Sequence, residues 1–119
     1  MAEGFARAYG ADVMEPYSAG LYPTNIVASL TKKVMLEKNI DLTAHFPKGL
    51  EEIPPGRVDV LVNISNQEML APPGATLEKW KVRDPIGLSE DVFREVANEI
   101  EQRVMRLVLS LRVKQQKAI

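Results

Sequence analysis

Trp80-Lys81-Val82-Arg83-Asp84-Pro85-Ile86-Gly87-Leu88-Ser89-Glu90-Asp91 is the stretch from which the rest of the chain can be read. A short strand pattern runs into Asp84-Pro85, a small loop follows, and Ser89 opens a long helix. Serine is a preferred N-cap because its hydroxyl accepts from an otherwise unsatisfied backbone N–H, and Glu90 and Asp91 place negative charge where the helix dipole favours it. Behind this start, Phe93, Val96, Ile100, Val104, Leu107 and Leu111 recur at steps of three and four, so one helix face is a continuous apolar stripe that must cover something. Asp84 lies between a strand end and a helix start. It can face a ligand there, or simply cap the turn before Pro85; the spacing leaves both readings open.

Working outward, Leu77 to Val82 alternates as a short strand, and Ala71 to Gly74 is Pro/Gly punctuation before it. Val58 to Ile64 is a dense apolar run, suited to a strand buried on both faces. Pro54-Pro55-Gly56 stops a short helical turn that Pro47 starts and Glu52 ends, and Ile40, Leu42 and Phe46 point inward before it. Ile26 to Lys38 has Ile26, Val27, Leu30 and Val34 at helical spacing, and Asn39 can take the left-handed position that closes the helix. Gly20 to Asn25 is a loop. Val13 to Ala19 is an edge strand, since Pro16 lacks a ladder donor. Met1 to Tyr9 is a short helix, with Gly10 expected to end it as glycine does at the position after a helix. Arg112 to Ile119 turns polar and basic, a frayed helix end. The order helix, strand, helix, strand, strand, helix predicts one α/β domain over residues 1–119, an open parallel sheet with helices on both faces.

Composition narrows the function classes. The formal net charge of −1 exerts no long-range pull on nucleic acid, and no apolar run approaches the ~20 residues that span a bilayer. Neither a nucleic-acid nor a membrane partner is expected, and a cytoplasmic location follows by default. The chain contains 0 cysteines and 1 histidine. These residues alone therefore supply no thiolate nucleophile, no disulfide and no ready transition-metal site, and no cofactor or metal is expected. His45, alone in a loop, reads first as a hydrogen-bonded structural residue. Trp80 either lines a ligand cleft or packs beneath the last helix, and packing is the default. The apolar residues between Met105 and Val113 read as core burial before they read as a surface for a partner helix.

Four motifs in order carry a resemblance: Met-Ala-Glu-Gly-Phe-Ala-Arg at Met1 to Arg7, Ser-Ala-Gly at Ser18 to Gly20, Asn-Ile-Asp-Leu-Thr-Ala-His at Asn39 to His45, and Trp-Lys-Val-Arg-Asp-Pro at Trp80 to Pro85. Together they resemble the low-molecular-weight protein tyrosine phosphatase and arsenate reductase superfamily over nearly the whole chain. The resemblance implies a phosphate-like or arsenate-like anion as ligand and Asp84 as general acid, protonating the leaving oxygen and later helping to activate water. It also implies a first central strand and a phosphate-binding loop, with a nucleophilic Cys and an Arg, directly before a Met-Ala-Glu-Gly segment. That strand and loop are missing here, so Met1 resembles an internal Met of the family and the chain reads as N-terminally truncated.

Three expectations follow from the resemblance. Without the nucleophile the chain is inactive as it stands, with a non-catalytic anion-binding or protein-interaction module as the alternative. Recycling through two further cysteines, as in thioredoxin-linked arsenate reductases, is excluded for these residues because Ser65 to Gly74 holds none, while the wording of the motifs lies nearer the arsenate-reductase branch. The family sheet order of two, one, three, four would leave a central gap, closed either by re-pairing of the chain's own strands or by a homodimer.

Overall fold

The computed structural model describes residues 1–18, 29–42, 58–85 and 87–117. Its elements are α1 (Ala2–Gly10), α2 (Ser29–Glu37), β1 (Val60–Asn63), β2 (Thr76–Lys79) and α3 (Glu90–Lys117). β1 and β2 pair in parallel, with Val60 opposite Thr76 and Asn63 opposite Lys79. The pairing is prolonged at both ends, where Thr76 N–H donates to the Asp59 carbonyl and Trp80 N–H to the Asn63 carbonyl, each at 2.9 Å. The architecture is α/β with a parallel sheet, as the order of sequence patterns predicts. The crossover from β1 to β2 contains turns and no helix, a sparser connection than the helical crossover usual between parallel strands.

α3 forms where Ser89 caps it. Val92 N–H lies 3.4 Å from the Ser89 hydroxyl oxygen and 3.1 Å from its carbonyl, so both acceptors of the cap serve the first turn. Phe93, Val96, Ala97, Ile100, Val104 and Val108 are buried on one side of this helix, and they share a core with Phe5 and Ala6 of α1, Val34 and Met35 of α2, and Ile40, Leu42, Trp80 and Val82. Burying each large aliphatic or aromatic side chain contributes about 1.5–3 kcal/mol, so this shared core is the main source of tertiary stability. Leu107 and Leu111, expected on the stripe, are only half-buried, while Ala97 and Val108 take fully buried places. α2 ends as expected. Asn39 adopts φ +63°, Ile40 N–H reaches the Met35 carbonyl at 3.0 Å and Asn39 N–H the Leu36 carbonyl at 2.9 Å, the paired bonds of a Schellman closure.

Four sequence expectations are corrected. Gly10 is not the residue after α1 but its last helical residue, followed by Ala11 at φ −60°, ψ −20°. Its role is proximity: a Cβ built on Gly10 would lie 2.7 Å from Cγ2 of Val108, so the absence of a side chain is what lets α1 approach α3. Val13 to Ser18 forms no strand, and its polar anchoring comes instead from Arg7, whose Nη2 donates to the Pro16 carbonyl at 2.8 Å. β1 is half-buried at Val60, Leu61 and Val62 rather than enclosed on both faces, because it has one ladder partner among the described residues; Val62 and Ile64 turn towards the core. The C-terminal tail stays helical through Lys117. Ile26 to Ala28, Pro47 to Glu52 and His45 lie outside the described residues.

Ion pairs fasten both N-terminal helices to α3. Arg94 forks onto Glu37 at 3.0 and 2.9 Å and also pairs with Asp91 and Glu90, and Lys33 pairs with Glu90. Glu101 accepts from the Tyr9 hydroxyl at 2.8 Å and from Lys38 Nζ at 2.9 Å, joining α1, the end of α2 and α3 through one carboxylate. Arg112 holds Asp12 with two bonds of 3.0 Å and the Tyr9 carbonyl with one of 2.7 Å. Hydrogen bonds from Arg94, Lys33 and Arg112 hold the Glu37, Glu90 and Asp12 carboxyls below their usual range. Burial acts to raise Glu101, but the bonds from Lys38 and Tyr9 outweigh it and the net shift is also downward.

Two outcomes are expected. Gly10→Ala forces a methyl into the side chain of Val108 and should lower unfolding stability by about 1–3 kcal/mol, measured by urea denaturation, as overpacking a tight contact does. For pH, a carboxyl depressed by folding adds stability that is present above its unfolded pKa and lost as pH falls through its folded value. Thermal stability should therefore decline as the medium is acidified below about pH 4.5. Arg94→Ala should flatten that decline, because the Glu37 and Glu90 shifts depend in part on Arg94.

Candidate functional site

In open parallel sheets the carboxyl ends of the strands carry the ligand cleft, since the loops leaving them converge there on helix starts. Such a cleft, of about 310 Å³, opens beyond β1 and β2 in this chain. Ile64, Ser65 and Asn66 supply one wall and Val82, Arg83, Asp84 and Pro85 the other, with Thr31 of α2 and Val96 and Ile100 of α3 closing it.

The loop after β1 is built by its own polar side chains. Asn63 is buried, accepts from Ser65 N–H at 3.0 Å and from the Ser65 hydroxyl at 2.6 Å, and donates from Nδ2 to the Gln67 carbonyl at 2.7 Å. This is an Asx turn with its side chain fully engaged. Asn66 then sits at φ +62°, a left-handed position that asparagine tolerates better than most residues, and its Nδ2 donates to the Val82 carbonyl at 3.1 Å. One side chain thus pins the loop after β1 to the segment after β2. The two walls of the cleft are held at a fixed separation.

Asp84 stands exposed on the second wall. The loop carrying it turns back through a bond from Leu88 N–H to the Pro85 carbonyl at 2.9 Å, with Gly87 at φ +80° in the third turn position. That conformation favours glycine, and it delivers the chain to the Ser89 cap. Asp84 is therefore fixed between the strand end and the start of α3. A carboxyl on the wall of the cleft can face a ligand bound there, and the apolar Ile64, Val82, Val96 and Ile100 also line the cleft.

Trp80 resolves to packing. It is buried in the core, and its indole N–H donates to Glu78 at 3.2 Å. Above it a smaller cleft of about 250 Å³ is lined by Glu78, Arg103, Arg106, Leu107 and Ser110, away from the strand ends. Thr31, Ser65 and Asn66 were not distinguished by sequence patterns. The available signal was the polar run Asn63 to Gln67 directly after an apolar strand, whose turn-forming side chains mark a shaped loop. Among the described residues, no group of three or more His, Asp or Glu side chains could hold a metal ion, and no helix is long and apolar enough to cross a membrane.

Comparison with known proteins places this geometry. The family model described as low molecular weight phosphotyrosine protein phosphatase matches residues 1–117. A glutaredoxin arsenate reductase of Synechocystis sp. is 29% identical over 115 residues, covering 93% of this chain and 87% of the relative. An arsenate reductase of Bacillus cereus is 29% identical over 110 residues, covering 89% and 81%. Among solved structures, an arsenate reductase in the phosphate binding state superposes with a TM-score of 0.82 at 29% identity over 92% of this chain and 86% of that one. Arsenate reductase from Archaeoglobus fulgidus superposes at 0.76 with 26% identity, over 90% and 86%. The sequence motifs, the parallel sheet with its strand-end cleft, and the match along residues 1–117 together show that the chain belongs to the low molecular weight phosphotyrosine protein phosphatase family.

Proposed function

We propose that these 119 residues are the acid-bearing scaffold of an oxyanion site of the phosphatase and arsenate reductase type, with Asp84 as general acid and a phosphate-like or arsenate-like anion as ligand. The observation that carries this reading is the position of Asp84, fixed by the Pro85–Leu88 turn on the wall of the cleft beyond the strand ends. Similarity to an arsenate reductase in the phosphate binding state supports the choice of anion.

The chemistry divides into two parts. Displacement at phosphorus or arsenic through a covalent intermediate requires a nucleophile, and the strong nucleophile at neutral pH is a thiolate. The chain has 0 cysteines, so no thiolate comes from these residues. Asp84 supplies the second part: its proton passes to the departing oxygen as that oxygen gains charge. With nothing to form the first bond, the residues on their own are catalytically silent. The absence of cysteine also favours a second reading, a non-catalytic anion-binding or protein-interaction module.

The test is to supply the missing group. Fusing the strand and thiol-bearing phosphate loop of an arsenate-reductase relative ahead of Met1 should create turnover of an aryl phosphate or of arsenate. In that fusion Asp84→Asn should lower kcat by about 10²–10⁴-fold with little change in KM, as expected for loss of a general acid. A fusion that folds and binds phosphate without turnover would favour the module, and turnover unchanged by Asp84→Asn would remove Asp84 from the mechanism.

A further inference from the structure

The two strands stop guiding one another before Asp84 is reached. The last ladder pair is Asn63 with Lys79, and the last backbone bond between the two segments runs from Trp80 N–H to the Asn63 carbonyl at 2.9 Å. Asp84 lies beyond it by roughly 13 Å of extended chain, at about 3.3 Å per residue. Among the described residues, no backbone hydrogen bond joins residues 64–67 to residues 81–84. Register there rests on side chains.

Asn66 supplies it. Its Nδ2 donates to the Val82 carbonyl at 3.1 Å, a link from the first wall of the cleft to the segment that carries Asp84. Val82 is also held by burial, but apolar contact is non-directional and leaves the peptide plane free to turn. A hydrogen bond to the carbonyl sets that plane, and with it the direction in which the following side chains leave the chain. Downstream, the bond from Leu88 N–H to the Pro85 carbonyl closes the turn into α3. Arg83 and Asp84 are thus tied on both sides, by Asn66 before them and by the turn after them.

We propose that Asn66 is a positioning residue for Asp84: through the Val82 carbonyl it aims the carboxyl at the anion in the cleft. This role rests on Asp84 acting as general acid. The residue type meets two demands at once. Position 66 adopts φ +62°, which asparagine tolerates better than most residues, and it needs an N–H donor at the end of a short side chain. Glycine would meet the first demand without the second. Ionised aspartate would keep the shape but set an acceptor against an acceptor. The backbone that brings Asn66 into place is fixed by buried Asn63, which accepts from Ser65 N–H at 3.0 Å and donates to the Gln67 carbonyl at 2.7 Å. Asn63 shapes the loop, and Asn66 reaches across from it.

Asn66→Gly and Asn66→Asp both remove the donor and keep the left-handed turn. The Val82 carbonyl and the Arg83 N–H belong to one peptide group. In the 119-residue chain both variants should therefore shift the Arg83 amide nitrogen resonance and leave those of Gly10 and Val108 in place. Chemistry is read in the thiol-bearing fusion, where Asn66→Gly should lower kcat by about 10–10²-fold with little change in KM, the cost of misplacing one reacting group. Combined with Asp84→Asn it should cost nothing further, since a residue that acts through Asp84 has no effect once the acid is gone. An Arg83 resonance unmoved by both variants, a kcat unmoved by Asn66→Gly, or losses that simply add in the double variant would each overturn the positioning role while leaving Asp84 as the acid. A fusion that binds phosphate without turnover, or turnover indifferent to Asp84→Asn, would remove the general-acid reading itself and the role of Asn66 with it.

Discussion

Burial of the inner face of α3 is the constraint on which the other features depend. Phe93, Val96, Ala97, Ile100, Val104 and Val108 form one side of a core whose other side comes from α1, α2, the segment after α2 and the segment after β2. A two-stranded sheet alone is marginal in water, and short helices such as α1 and α2 are marginal in isolation. Each becomes stable by covering part of α3. Gly10 shows how close the fit is, because the space that would take one methyl is already filled by Val108. The polar bonds from Tyr9, Lys38, Arg94 and Arg112 then fix the angle and register of packing that apolar contact leaves underdetermined.

The cleft follows from this arrangement. Because α3 begins directly after the loop that leaves β2, its capped end and the strand ends are forced together, and Asp84 lies between them. Ordering comes from short-range side-chain bonds at Asn63 and Asn66 and from the positive φ of Gly87. Core and cleft share Val82, Val96 and Ile100, while the polar side chains that shape the cleft lie outside the core. The inward face of α3 secures the fold, and the loops at its start shape the cleft.

Legibility in the sequence followed the range of the interactions. Ser89, the α3 stripe and the closure of α2 at Asn39 are set by bonds within a few residues, and they were readable with nearly correct bounds. The parallel sheet was readable from element order, though β1 and β2 are shorter than their apolar runs. What was misread depends on distant partners. Gly10 does end α1, but its closeness to Val108, far along the chain, is not visible in the local sequence. Val13 to Ser18 has strand-like residues, but a strand exists only where a ladder partner does. Asp84 stood out through its Asp-Pro pair and its motif, whereas Asn63 and Asn66, which position the loop facing it, could be recognised only once the two loops were seen side by side.

The proposed division of labour, with Asp84 as the acid and no thiolate from these residues, can be tested directly. Hydrolysis of an aryl phosphate by the 119-residue chain, followed at high enzyme concentration beside its Asp84→Asn variant, should show no difference between the two and no turnover above the buffer rate. Sustained turnover that disappears with Asp84→Asn would contradict the account, because it would mean that these residues contain a nucleophile other than cysteine.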